Sequence, residues 1–181
     1  MSVDPEDYGW LEGELEWFGE AGCVTVATAA TRGAVAAAFG ADLSAPTPEA
    51  HGDGVQLYAS FLEVGGAQVV VEDNGFRGND DSVLVRVSDG GRAASAFWNV
   101  DGVTRFGCAR DGRLLFNQEF SLLDRWPGLP ADLVPLAERA AGEGAQEHIA
   151  AIALAMVEQF TGVRVTAENV SSALRTGFPL R

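Results

Sequence analysis

Apolar and polar positions alternate with a period of two from Arg92 to Phe116, RAASAFWNVDGVTRFGCARDGRLLF, and the alternation breaks at Asp101-Gly102 and at Asp111-Gly112. Asp-Gly is the usual two-residue hairpin turn, because both residues tolerate the positive φ that its twist needs. The stretch therefore predicts three antiparallel strands. Such turns set Val100 opposite Val103, Trp98 opposite Arg105 and Phe97 opposite Phe106, then Ala109 opposite Leu114 and Cys108 opposite Leu115. In that register one face carries Phe97, Phe106, Cys108 and Leu115 and is the expected core face. The other carries Ala94, Ala96, Trp98, Val100, Val103, Arg105, Gly107, Leu114 and Phe116, with Arg105 stacked on Trp98 and Phe116 covering Gly107. A sheet apolar on both faces needs a layer of cover on each side.

The same period recurs in Tyr58 to Glu72, where Gly65-Gly66 forms the turn and sets Phe61 opposite Val70 and Leu62 opposite Val69. Gly22 to Thr28 is a short β-branched strand. Elsewhere the period is helical. Asp4 to Phe18 places Tyr8, Leu11, Leu15 and Phe18 on one stripe, with Asp4 as cap and Pro5 in the first turn, and predicts an acidic amphipathic helix. Thr31 caps a helix that brings Val35 and Phe39 inward and stops at Gly40. Ala41 to Gly54 reads as a loop with one helical turn at Thr47-Pro48-Glu49. Ser82 to Asp89 suits strand or helix, and helix is preferred because the sheet lacks cover. Pro130 to Ala141, Ala145 to Phe160 (ended by Gly162) and Thr166 to Ala173 are helical, and TGFPLR is a tail. The expected architecture is α+β: residues 1–181 as a single domain, with a mainly antiparallel sheet of about five or six strands under the N-terminal acidic helix and the C-terminal helices.

Composition narrows the function classes. A net charge of −14 argues against nucleic acid and anionic membrane, whose charges it would repel, and permits a basic partner. Without a run of about 18 apolar residues, and with an acidic N-terminus, a cytoplasmic protein is expected. Cys23 and Cys108 lie in apolar strands and read as buried thiols. Every base is Arg and none is Lys, a mark of GC-rich coding.

Chemistry is sparse. Glu72, Asp73, Asp80 and Asp81 in the loop EDNGFRGNDD are the candidates for acid/base work or a hard cation, but their spacing misses the EF-hand pattern and Arg77 lies among them. His51 and His148 have no second ligand at metal spacing. No nucleophile elbow or phosphate-binding loop occurs. No catalytic residue, metal or cofactor is assigned, and the sequence leans against catalysis. Two binding surfaces are expected instead. Glu14, Glu16 and Glu20 fall too late to be explained by a helix dipole and, with Glu12, offer a docking surface for a basic protein, as in an immunity or antitoxin-like protein. The alternative is a small-molecule or enzymatic site on the sheet face around Trp98, Asn99 and Arg105, or in the Glu72–Asp81 loop. A side-chain bond from Asn99 that braces its hairpin is the plainer role for that residue. The oligomeric state is left open.

VEDNGFRG, AFWNVDGVTRFGCARDGRLLF and EQFTGVRVTAENV, in that order, resemble the landmarks of a family of small uncharacterised actinobacterial proteins, a domain of unknown function. The resemblance runs from about Tyr8 to Val170. It implies an actinobacterial, cytoplasmic origin and transfers no catalytic residue.

Overall fold

The computed structural model describes residues 3–48, 56–120, 125–142 and 148–181. Eight antiparallel strands form an open sheet: β1 Gly22–Ala27, β2 Thr47–Pro48, β3 Tyr58–Val64, β4 Ala67–Asp73, β5 Arg92–Trp98, β6 Thr104–Arg110, β7 Arg113–Gln118 and β8 Thr176–Pro179. Their order is β2-β8-β3-β4-β1-β5-β6-β7. The six strands legible in the alternation are all present, and β2 and β8 raise the expected five or six to eight. Each of these two short strands carries a proline, Pro48 or Pro179, which a sheet tolerates at its margin, and each forms only by pairing with distant chain. The tail is thus a strand, and Thr47 and Pro48 are β rather than a helical turn.

One face of the sheet is covered by α5 (Ile149–Thr161), by α4 (Val134–Ala140), and by the N-terminal segment with α1 (Glu16–Glu20). The N-terminal run is not the single helix its stripe predicts. Pro5–Glu12 is a 3-10 helix capped by Asp4, the chain turns at Gly13, and α1 folds back so that Gly19 touches the Leu11 carbonyl. A side chain at residue 19 would sit 2.2 Å from that oxygen, so only glycine allows the return. The apolar stripe is still buried: Tyr8, Leu11, Leu15 and Phe18 all face the core, and Tyr8 Oη donates to Glu158 Oε2 on α5 at 2.9 Å. The opposite face is covered by α2 (Arg32–Phe39) and α3 (Asp81–Val87), through Val35, Phe39, Val83, Leu84 and Val87. α6 (Ala167–Ala173), capped by Thr166, packs beside β3. The Ser82–Asp89 stretch is thereby helix as far as Val87, as its role in covering the sheet demands.

The register of the meander differs from the expected one, and this decides where the site lies. Trp98 pairs with Thr104 and Phe97 with Arg105, one residue out of step with a two-residue turn. Asn99 causes the slip. Its Oδ1 accepts from the amides of Asp101 (3.1 Å) and Val103 (3.0 Å), and its own N–H bonds the Val103 carbonyl, which closes a three-residue loop with Gly102 at φ 77°. At the second turn Asp111 and Gly112 (φ 50° and 71°) form the expected two-residue loop, so Ala109 does meet Leu114. A bulge then moves Cys108 opposite Phe116 instead of Leu115. One slipped residue inverts side chains through the sheet. Trp98, Phe106, Cys108 and Phe116 face the α5 core, while Phe97, Arg105, Gly107 and Asn117 turn to the α3 side.

Candidate functional site

Glycine-punctuated chain between β4 and α3 lies over the α3-side face. It is held there by Glu72, the last but one residue of β4, whose side chain is buried with 1% exposure. Its Oε1 accepts from Arg77 N at 2.9 Å and its Oε2 from Gly78 N at 2.7 Å. Burial raises its carboxyl to about 7 from the ordinary 4.5, against the lowering pull of those two N–H groups, the Cys23 thiol and the Arg77 charge. Beneath it Cys23, Thr25 and Ser95 form a buried polar cluster, with Thr25 Oγ1 donating to Ser95 Oγ at 3.0 Å. Burial likewise pushes the Cys23 thiol well up, so it is held as an inert S–H. The loop sits so close that a Cβ on Gly78 would lie 1.9 Å from Thr25 Oγ1.

Where the loop enters α3, it and the sheet leave an open pocket of about 750 Å³. The sheet supplies Phe97, Val103, Arg105 and Asn117 to its lining, and the loop supplies Phe76 and Asn79–Ser82. Asn117 ties the two walls together: its Nδ2 donates to the Asn79 carbonyl (2.6 Å) and to Asp81 Oδ1 (2.8 Å), and Arg105 Nη2 donates to its backbone oxygen at 3.3 Å. Asn117 is able to do so because Gly107 opposite it has no side chain; a Cβ there would lie 3.1 Å from Asn117 Cγ and 2.6 Å from Leu84. Phe76, 54% exposed, meets Phe97 edge-on with centroids 6.3 Å apart, which gives the pocket an aromatic wall.

The polar groups of the pocket are unevenly satisfied. Arg105 Nε and Asn79 Nδ2 are shut off from solvent, and neither has an acceptor among the described residues. Arg105 has no carboxylate within ion-pair distance there either. Asp80 precedes α3 at the capping position, yet its side chain caps nothing and makes no bond or ion pair among the described residues. Two unmated donors and one unmated carboxylate thus share one pocket.

A model described as a family of unknown function, DUF6461, matches residues 1–176. The chain belongs to that family. No curated protein and no solved structure matched it.

Of the residues expected to form a site in this DUF6461 chain, Arg105 lies in the pocket, but Trp98 does not. The slipped register puts Trp98 on the other face, 2% exposed, with Nε1 donating to the Phe18 carbonyl and its ring edge-on to Phe18, so no Arg105–Trp98 stack exists. Asn99 braces its loop, as its plainer role required. Glu12 pairs with His148, while Glu14, Glu16 and Glu20 stand exposed around the Gly13 turn and α1 rather than along one helix. Asp80 and Asp81 join the pocket, Glu72 is structural, and no group of three or more His, Cys, Asp or Glu among the described residues is arranged to hold a metal ion. His51 lies outside the described residues. Among them no helix is long and apolar enough to cross a membrane. Sequence reasoning named the Glu72–Asp81 loop but singled out its carboxylates rather than Phe76 and Asn79, and it missed Phe97 and Asn117; the only signal was that each is a polar or aromatic residue next to a glycine-rich turn or strand end.

Proposed function

We propose that the chain is a non-catalytic binding protein for a small polar molecule, held in the pocket between the Phe76–Ser82 segment and the ends of β5–β7. The observation that carries this reading is one open pocket lined by Arg105 and Asp80, opposite charges that have no ion-pair partner among the described residues. An aromatic wall with a few convergent polar groups is the usual make-up of a small-molecule site. The free buried thiols Cys23 and Cys108 suit a reducing compartment such as the cytoplasm. Residue-resolved NMR of the labelled protein against a library of polar fragments tests the reading. Shifts should cluster at Asn79, Phe97, Arg105 and Asn117, and hits that all map elsewhere overturn it.

A second reading, docking of a basic protein in the manner of an immunity or antitoxin-like protein, is favoured by Trp17, which keeps 45% of its surface exposed beside Glu14, Glu16 and Glu20. An aromatic anchor within a charged rim is the usual anatomy of a protein interface. Its mark is a stoichiometric basic partner released by salt and lost on Glu14→Gln/Glu16→Gln/Glu20→Gln. A partner retained equally by that variant counts against it.

A further inference from the structure

Charges of both signs line the pocket without pairing with one another, and this points to the kind of molecule it takes. The Arg105 guanidinium stands part-buried and has no carboxylate partner among the described residues. Asp80 is part-buried as well and is not used as a helix cap. Asp81 is occupied by Asn117, which leaves Asp80 as the carboxylate available at that wall. A simple anion would satisfy Arg105 but meet Asp80 and Asp81 at the same pocket. A simple cation would suit Asp80 and leave Arg105 unpaired. A molecule with an acceptor anion at one end and a cation at the other satisfies both sets. Phe76 and Phe97 add an aromatic surface for a flat apolar side chain, and about 750 Å³ leaves room for one.

Resting on the proposed small-molecule reading, we infer that the pocket binds a zwitterion of the amino-acid class with an aromatic side chain, its carboxylate on the Arg105 guanidinium and its ammonium on Asp80. Bonds of this kind, between ionised groups, are the strong, charge-assisted ones.

The test compares L-phenylalanine with its two half-molecules, 3-phenylpropanoate, which lacks the ammonium, and 2-phenylethylamine, which lacks the carboxylate. Binding to the full chain is measured by calorimetry at low salt, and NMR locates each probe. Phenylalanine should bind at the pocket and each half-molecule more weakly by about tenfold or more, as the loss of one charge-assisted contact implies. The Asp80 side chain makes no hydrogen bond among the described residues, so Asp80→Asn should keep the unfolding midpoint. In that variant phenylalanine binding should fall by about tenfold, while 3-phenylpropanoate binds as before or better. A half-molecule that binds at the pocket as tightly as phenylalanine overturns the zwitterion and leaves the small-molecule reading standing. If none of the three shifts a pocket resonance, the zwitterion is likewise overturned, and the fragment library decides the wider reading separately.

Discussion

Glu72 offers a quantitative test, because burial and hydrogen bonding pull its carboxyl in opposite directions. Two backbone N–H groups accepted at 2.7 and 2.9 Å favour the carboxylate, and complete burial favours the acid. Burial prevails and sets the group at about 7 in the folded chain, against 4.5 when exposed. Between those two pH values the folded chain keeps a proton that the unfolded chain has released. Stability therefore falls as pH rises, by about 1.4 kcal/mol per pH unit. The whole difference comes to about 3 kcal/mol: present below pH 4.5, lost through pH 7 and level above it. Glu72→Gln isolates this contribution. Glutamine never ionises, and its one amide N–H facing the Arg77 or Gly78 amide costs about 1–3 kcal/mol at every pH. Other carboxylates cancel in the difference between wild type and variant. Urea unfolding at several values from pH 4.5 to 8 should show wild type ahead at the acid end, its lead shrinking by about 3 kcal/mol towards pH 8. A lead that is constant with pH, or that grows towards pH 8, would mean that the two N–H bonds outweigh burial, and the reasoning fails.

Two further predictions concern the fold. Phe106→Ala should cost about 3–5 kcal/mol in urea unfolding, because Phe106 is fully buried in the α5 core; Phe97→Ala should cost less, and the reverse order would restore the two-residue register at Asp101-Gly102. Gly78→Ala places a Cβ 1.9 Å from Thr25 Oγ1, a contact within a packed wall, so it should cost about 1–3 kcal/mol and speed amide exchange in Phe76–Asp80; an unchanged unfolding midpoint would show that the loop is not seated on the sheet as described.

By itself the sequence determined the parts whose physics is local. Alternation marked six of the strands, and Gly65-Gly66 and Asp111-Gly112 set their hairpins because a two-residue turn leaves one register open. Thr31, Gly40, Thr166 and Gly162 bounded helices through bonds made within a turn of themselves or through a left-handed residue. What the tertiary structure decided begins where two local rules compete. Asp101-Gly102 satisfies the two-residue turn, but the Asn99 side chain gains two amide bonds in the longer loop, and the gain shifts every residue of β5 against β6 by one. A bulge after Cys108 depends on what both faces must bury and has no sign in the residues around it. β8 exists only because β2 and β3 lie beside it, and a strand with one proline in four residues has little tendency to form alone. The pocket is the product of those non-local choices. The slip carries Arg105 to the α3 side, the bulge sets Asn117 over Gly107, and Glu72 pulls Asn79 and Asp80 in from the loop, so residues far apart in the chain meet through contacts that no local pattern encodes.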